Sequence, residues 1–343
     1  MRRFYVYFFT FFFSSTVFAQ TGTIPQDGFI PPPYTYRDVH NPWYWKNKKP
    51  FEGYWQQDVH YIINASLDDK TDIIDGEVIL TYYNNSPDTL PFVYFHLYQE
   101  AFQPGAYLDD LVQVNKAIRK YGEYEQQGLG TEIDDMHITA INGFPTLQQV
   151  TLTQDNTILR VDLNEAIQPA GSVTFRIKFK TYYDSGTGRR RMKMFNDYGY
   201  KHYDGVHWYP RIAVYDRKFG WTTDQHLGRE FYGDYGTYEV NLTLPAHYIV
   251  DATGYLTNAQ EAMPASLRQK LDIRNFYNKD WQSPPSEIIP VIEDEKKTWR
   301  YYALNVHDFA FTADPTYRMD ERMAVVNGRA VRCVALVQEP HAA

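Results

Sequence analysis

Val173-Thr174-Phe175-Arg176-Ile177-Lys178-Phe179-Lys180 is the stretch on which the fold class turns. Its apolar side chains fall at every second position, with Thr174, Arg176, Lys178 and Lys180 between them. Successive side chains of a strand point to opposite faces, so this run reads as a strand with one buried and one wet face. The pattern recurs at Leu159, Val161 and Leu163 against Arg160, Asp162 and Asn164. It recurs again at Tyr238, Val240, Leu242 and Leu244 against Glu239, Asn241 and Thr243. Alternation of this kind predicts antiparallel sheets solvated on one side. Further strand-like runs lie near 57–67, 72–84, 89–98, 133–141, 247–251 and 298–306, separated by Gly, Asn, Asp and Pro. The expected class is mainly β, a sandwich or saddle. Helical periodicity is confined to Asp109–Tyr121 and to Pro264–Leu271, where a proline near the start loses little.

The 343 residues carry a net charge of −8, which argues against a nucleic-acid partner, since such binders display a basic face. The dense basic cluster Arg189-Arg190-Arg191 with Lys193 reads as a solvated turn rather than a binding patch. Aromatic residues make up 17% of the chain, 30 of them tyrosines, which suits strands. Cys333 is alone, so no internal disulfide staples the fold and packing must hold it.

At the N-terminus, Met1-Arg2-Arg3 precedes the apolar run Phe4–Phe13, and Val17-Phe18-Ala19 presents a cleavage site. Residues 1–19 are expected to be a signal peptide cut after Ala19, giving an exported protein, periplasmic or secreted. The alternative, an uncleaved anchor, is disfavoured because the run falls short of the ~20 residues a bilayer requires. No membrane span is expected in the mature chain. Residues 20–53, rich in Pro, Tyr and Trp, read as an extended lead-in lying against the body through Trp43, Tyr44 and Trp45.

No complete active site is visible in the residues. A helical His-Glu-x-x-His zinc motif does not occur in the sequence. His96 with Glu100, and His226 with Glu230, have four-residue spacing but no helical context, and His202 and His207 read as polar or packed histidines. Asp184-Ser185-Gly186 matches one half of an aspartic-protease pair, and a lone copy at the end of a strand reads as a turn. No catalytic residue and no metal ligand is assigned.

Four longer phrases carry a resemblance: Asp58–Tyr61, Val206–Asp216, Gly233–Pro245 and Asn305–Pro315. In order and wording they resemble the N-terminal domain of the aminopeptidase N family of zinc metallopeptidases (gluzincins), over roughly residues 54–343. The resemblance implies a β-saddle over 54–307. After it, 308–343 would begin a thermolysin-like α+β domain, with Val331–Val337 as an early strand. It also implies that the chain stops before the zinc motif and the peptide-gripping Gly-x-Met-Glu-Asn-type loop. Zinc would then belong to the full-length parent, with none bound by this chain. The expected partners are a peptide substrate, from which N-terminal residues are removed, and the missing catalytic domain. The family's β domain offers a Gln or Glu to the substrate's free amine, and the matching positions are His202-Tyr203-Asp204. Asp204 is the expected substrate-binding residue, with His202 beside it; Asp is a methylene shorter than Glu, and a plain turn aspartate is the alternative. The rival reading is a non-catalytic module that stacks a glycan or protein on Trp43, Trp45, Trp55, Trp208 and Trp221.

Overall fold

Alternation in the sequence becomes burial in space: Val173, Phe175, Ile177 and Phe179 are fully buried, whereas Arg176 and Lys178 are exposed. The structure is a computed structural model describing residues 37–339 except Trp43, Arg190, Arg229, Glu230 and Trp281. The expected signal peptide, the lead-in up to residue 36, and Trp43 therefore lie outside the described residues.

The first strands are β1 (Asp58–Asp68), β2 (Ile73–Tyr83), β3 (Leu90–His96), β4 (Thr131–Ile141), β5 (Phe144–Gln149), β6 (Thr151–Asp155), β7 (Ile158–Ile167) and β8 (Ser172–Tyr182). Then come β9 (Lys193–Asp197), β10 (Tyr200–Gly205), β11 (Arg211–Ile212), β12 (Tyr215–Asp216), β13 (Gly220–Trp221) and β14 (Gly236–Pro245). The last are β15 (Ile249–Ala252), β16 (Tyr255–Leu256), β17 (Lys296–Val306), β18 (Phe311–Asp314), β19 (Tyr317–Val326) and β20 (Arg329–Gln338). Short helices α1 (Tyr107–Val114), α2 (Glu123–Gln126), α3 (Ala259–Ala262) and α4 (Ala265–Leu271) sit in the connections.

The chain is mainly β, as expected. An eight-stranded sheet in the order β16-β17-β14-β1-β2-β8-β4-β5 presents its apolar face to two four-stranded sheets, β11-β3-β7-β6 and β15-β18-β10-β9. Phe95 of β3 meets Phe175 of β8 edge-on at 5.5 Å, and Trp208 packs against Phe179 at 6.3 Å and Phe311 at 5.5 Å. Each such buried side chain contributes about 2 kcal/mol. Pairs β12–β13 and β19–β20 form separate two-stranded ladders.

The large sheet is mixed rather than purely antiparallel. β1 and β14 run parallel, from Val59 opposite Gly236 to Ser66 opposite Thr243. Alternation reports which face is buried and is silent on strand direction. The helix expected over Asp109–Tyr121 also ends early, at Val114. Lys116 turns with φ +54°, and the chain doubles back so that Arg119 Nη1 donates to Asp109 Oδ1 at 2.8 Å. The helix expected at Pro264–Leu271 forms as α4, with Pro264 at its N-cap.

Tyr44 and Trp45 of the lead-in are buried, as expected, and both donate to the buried Asp58 at 2.8 and 3.1 Å. Either side of the expected 307/308 boundary the chain shares one core, in which Phe309 and Phe311 join Trp208 and Tyr238. β18 is paired on both edges, with β10 and β15. Val331–Val337 lies in β20, which pairs with β19, and Gln338 ties the hairpin back by donating to Asp314 Oδ2 at 2.8 Å.

Candidate functional site

The four stretches that carry the resemblance are distant in sequence and meet in one buried junction. Tyr61 and Tyr238 stack at 4.7 Å, and Tyr209 stands edge-on to Tyr61 at 5.6 Å. Ile212 N donates to Tyr61 Oη at 3.1 Å, Tyr209 Oη donates to Asp308 Oδ1 at 2.6 Å, and Trp208 Nε1 donates to Phe309 O at 3.1 Å. Arg211 donates to His307 O. Buried polar groups need partners, and most here find them across the phrases, with Arg211 Nη1 and Asp234 Oδ2 left without one among the described residues. A Cβ on Gly233 would lie 1.7 Å from Arg211 Nη2, so only glycine lets that guanidinium pass. Burial opposes the charge on Asp308, but the hydrogen bond from His207 and the nearby Arg211 outweigh it and hold the carboxyl at about 2. The junction is architectural, and no nucleophile–base pair emerges from it.

The predicted substrate residues, His202 and Asp204, stand on β10 with side chains on the same face, two residues apart. β18 runs alongside and adds Asp314 and Thr312. His202 Nδ1 lies 3.0 Å from Asp314 Oδ2 and Nε2 lies 3.1 Å from Asp204 Oδ1. Only the doubly protonated ring donates from both nitrogens. Burial works against that cation, yet the bonds to Asp204 and Asp314 raise its pKa from 6.5 to about 9. Asp314 is buried, which opposes its charge. It nonetheless sits below its ordinary value, because His202, Thr316 and Gln338 all donate to it.

Asp204 is a strand residue, not a turn residue, and its side chain is 39% exposed. Oδ1 receives His202 and, at 3.3 Å, Thr312 Oγ1; no described residue bonds Oδ2. That oxygen can accept one more donor from solvent or a ligand. Asp314, Thr312 and Gln338 were missed in the sequence because their roles depend on β18 and β20 being laid beside β10. With both ring nitrogens engaged by carboxylates, His202 has no lone pair for a metal. Among the described residues no three His, Cys, Asp or Glu side chains are grouped to hold one. The residues present do not fit zinc.

Other sequence candidates resolve into structure. Asp184 is buried and accepts from the backbone N of Glu123 and Glu125 at 3.1 and 2.8 Å, bonding the first turn of α2. Arg189, read as part of a solvated turn, is instead fully buried in an ion pair with Glu125 at 2.7 Å. β8 ends at Tyr182, packed on Tyr124 of α2, and Arg189 folds back to donate to Tyr182 O at 2.6 Å and to Glu125. Arg190 and Glu230 lie outside the described residues. His96 and Glu100 do not meet as ligands: His96 is buried and its pKa falls to about 3, chiefly through desolvation, while Glu100 accepts from Thr131 N at 2.6 Å. The tryptophans of the rival reading do not form one exposed platform among the described residues, although Trp55 and Trp221 are only partly buried. Trp208 and Trp45 are buried, Trp55 packs on Tyr215, and Trp221 packs between Tyr215 and Tyr94, with Trp43 outside the described residues.

No family model and no curated protein matches the chain. Among solved structures it is similar to an M1 zinc metallopeptidase from Deinococcus radiodurans, at 15% identity and a TM-score of 0.41, over 82% of this chain and 47% of that one. A mutant of the enzyme from the same organism bound to a Tyr-Ser-Ala substrate gives 14% and 0.42 over 82% and 47%. A two-domain M1 zinc metallopeptidase mutant bound to L-arginine gives 14% and 0.42 over 82% and 48%. The chain spans about half the length of the solved structures it matches.

Proposed function

We propose that this chain is the β portion of an exported zinc aminopeptidase, shaping the cleft that receives a peptide's N-terminus. The observation that supports this most is the buried junction, because four phrases read as family-like from the sequence alone turn out to pack on one another. In this reading the zinc and its hydrolytic chemistry belong to a catalytic domain beyond these residues, and no step passes through this chain's own histidines. The expected division near 307/308 becomes a division of roles, with the shared core rigidly presenting the hairpin β19–β20 toward that domain. Residues 1–19 direct export, to periplasm or exterior.

Asp204 carries the recognition. Its Oδ2 accepts one N–H of the substrate's ammonium group while His202 and Asp314 hold the carboxylate in place. A charge-assisted bond of this type contributes roughly 1.5–3 kcal/mol. The test is hydrolysis of leucyl-p-nitroanilide by the protein produced from its natural gene, with and without a chelator. Asp204→Asn is expected to raise KM about tenfold with a smaller change in kcat, matching about 1.4 kcal/mol of lost binding. Hydrolysis of an N-acetylated substrate as fast as the free amine would sink the role of Asp204, and no chelator-sensitive hydrolysis at all would sink the peptidase reading. The rival glycan-stacking reading has no exposed tryptophan platform among the described residues to stand on.

A further inference from the structure

Where the lead-in meets the start of β1 and the end of β2, a lysine, an asparagine and a buried carboxylate stand in line. Lys46 Nζ donates to Asn85 Oδ1 at 2.6 Å, and Asn85 Nδ2 donates to Asp58 Oδ2 at 3.0 Å. Asn85 is held from two further sides, its Nδ2 donating to Gln56 O at 3.0 Å and its backbone N to Gln57 Oε1 at 2.6 Å. Two acceptors on one side of the carboxamide fix that side as the nitrogen and turn the oxygen toward the lysine. Asp58 is buried and also receives Tyr44 Oη at 2.8 Å, Trp45 Nε1 at 3.1 Å and Arg37 Nε at 3.3 Å.

An amine, a carboxamide and a carboxylate in this order are the parts needed to exchange one amide for another. Asn85 Cγ lies one carbonyl bond, about 1.2 Å, behind the oxygen that Nζ already touches. The amine must be neutral to attack. Its Nζ lies 5.4 Å from the Trp45 ring centroid, and partial loss of water lowers its pKa from the ordinary value, with Arg37 and Lys49 adding to the fall and Asp58 opposing it. Asp58 touches the nitrogen that would leave. In the tetrahedral adduct both nitrogens sit on Cγ, so a carboxylate at one of them can carry a proton between them.

We propose that Lys46 and Asn85 are a self-modification site, at which the chain forms an internal isopeptide bond with Asp58 as the proton carrier. The lone pair of Nζ attacks Cγ, the Nζ–Cγ bond forms and the Cγ–Nδ2 bond breaks. Asp58 takes one proton from Nζ and returns it to Nδ2, which leaves as ammonia, so the carboxylate is regenerated and nothing is oxidised or reduced. Escape of ammonia into solvent makes the step irreversible, and a small neutral fraction of Lys46 is enough given time. The bond would tie the lead-in to the end of β2 in a chain whose single cysteine can form no internal disulfide. The site shares no residue with Asp204 and its partners, and it stands whether or not the peptidase reading holds.

The test is mass spectrometry of the purified protein after incubation at about pH 9, where more of the amine is neutral. The intact chain is expected to be lighter by one ammonia, about 17 Da, and a tryptic digest to contain a branched peptide joining Lys46 to Asn85. Cyclisation of an N-terminal glutamine, which Gln20 becomes if residues 1–19 are removed, also releases ammonia, so the comparison is with Lys46→Arg. That variant changes only an exposed side chain and is expected to lack both the branched peptide and its share of the mass loss. Asn85→Ala should behave in the same way, and Asp58→Asn should slow formation at least about tenfold. A full-mass chain, a mass loss that survives unchanged in Lys46→Arg, or a digest without the branched peptide would each overturn the proposal. Undiminished formation in Asp58→Asn would remove Asp58 from the step.

Discussion

Raising the pH should loosen this protein through one ring, that of His202. Its folded-state pKa, about 9, lies above the ordinary 6.5, because Asp204 and Asp314 hold the cation in spite of burial. A raised value means that the stabilisation is whole below about pH 6.5 and is lost as pH climbs through about 9. The gap between the two values sets an upper limit of about 3 kcal/mol, and screening at a ring still partly solvated reduces this to about 1–2 kcal/mol. The assay is urea unfolding at about pH 6 and about pH 10 for the parent and for His202→Gln, so that other groups titrating in that range cancel in the comparison. The parent should lose about 1–2 kcal/mol more than the variant on going to high pH. Ring-proton NMR should place the titration near 9 directly. A ring that titrates near 6.5, or a variant that is weakened equally at both pH values, would refute the claim that two carboxylates share this proton pair.

Two further outcomes follow from buried charges. Glu125→Gln should destabilise by about 3–5 kcal/mol in urea unfolding, because Arg189 would remain buried beside a neutral partner, while Glu125→Leu combined with Arg189→Met should recover most of the loss. A loss below about 1 kcal/mol for the single change would mean that the pair is solvated. Asp58→Ala removes the acceptor shared by Arg37, Tyr44, Trp45 and Asn85, and should free the lead-in. Limited proteolysis should then cut within 37–53 markedly faster than in the parent, and equal rates would show that Tyr44 and Trp45 hold the segment by packing alone.

Strands were legible because the period of a strand's side chains writes itself into the sequence wherever one face is buried. β8 and β14 could be read residue by residue. β6 could not, since all five of its residues are exposed and carry no alternation to read. Direction and neighbour were hidden for β1 and β14, whose parallel pairing joins segments that no local pattern relates. The candidate site was half visible. His202 and Asp204 sit two apart on one strand, and a family-like phrase points to them, but Asp314 arrives on a strand more than a hundred residues later. Arg189 misled because a run of basic residues normally reads as solvated, and nothing local signals that Glu125 would be folded over it. Arg119 was read as part of a helix that in fact ends before it.

The parallel pairing of β1 with β14 also sets a timetable. β1 occupies the middle of the large sheet, between β2 and β14, with Val59 opposite Gly236. During synthesis β2 can pair with β1 almost at once, but β14 emerges roughly 180 residues later, which at 5–20 residues per second is about 9–36 s. Throughout that interval one edge of β1 offers unpaired backbone groups and an apolar face, the combination that recruits strands from other chains. Until β14 arrives, the edge that it will fill is the place where a nascent chain of this protein is most exposed to mispairing.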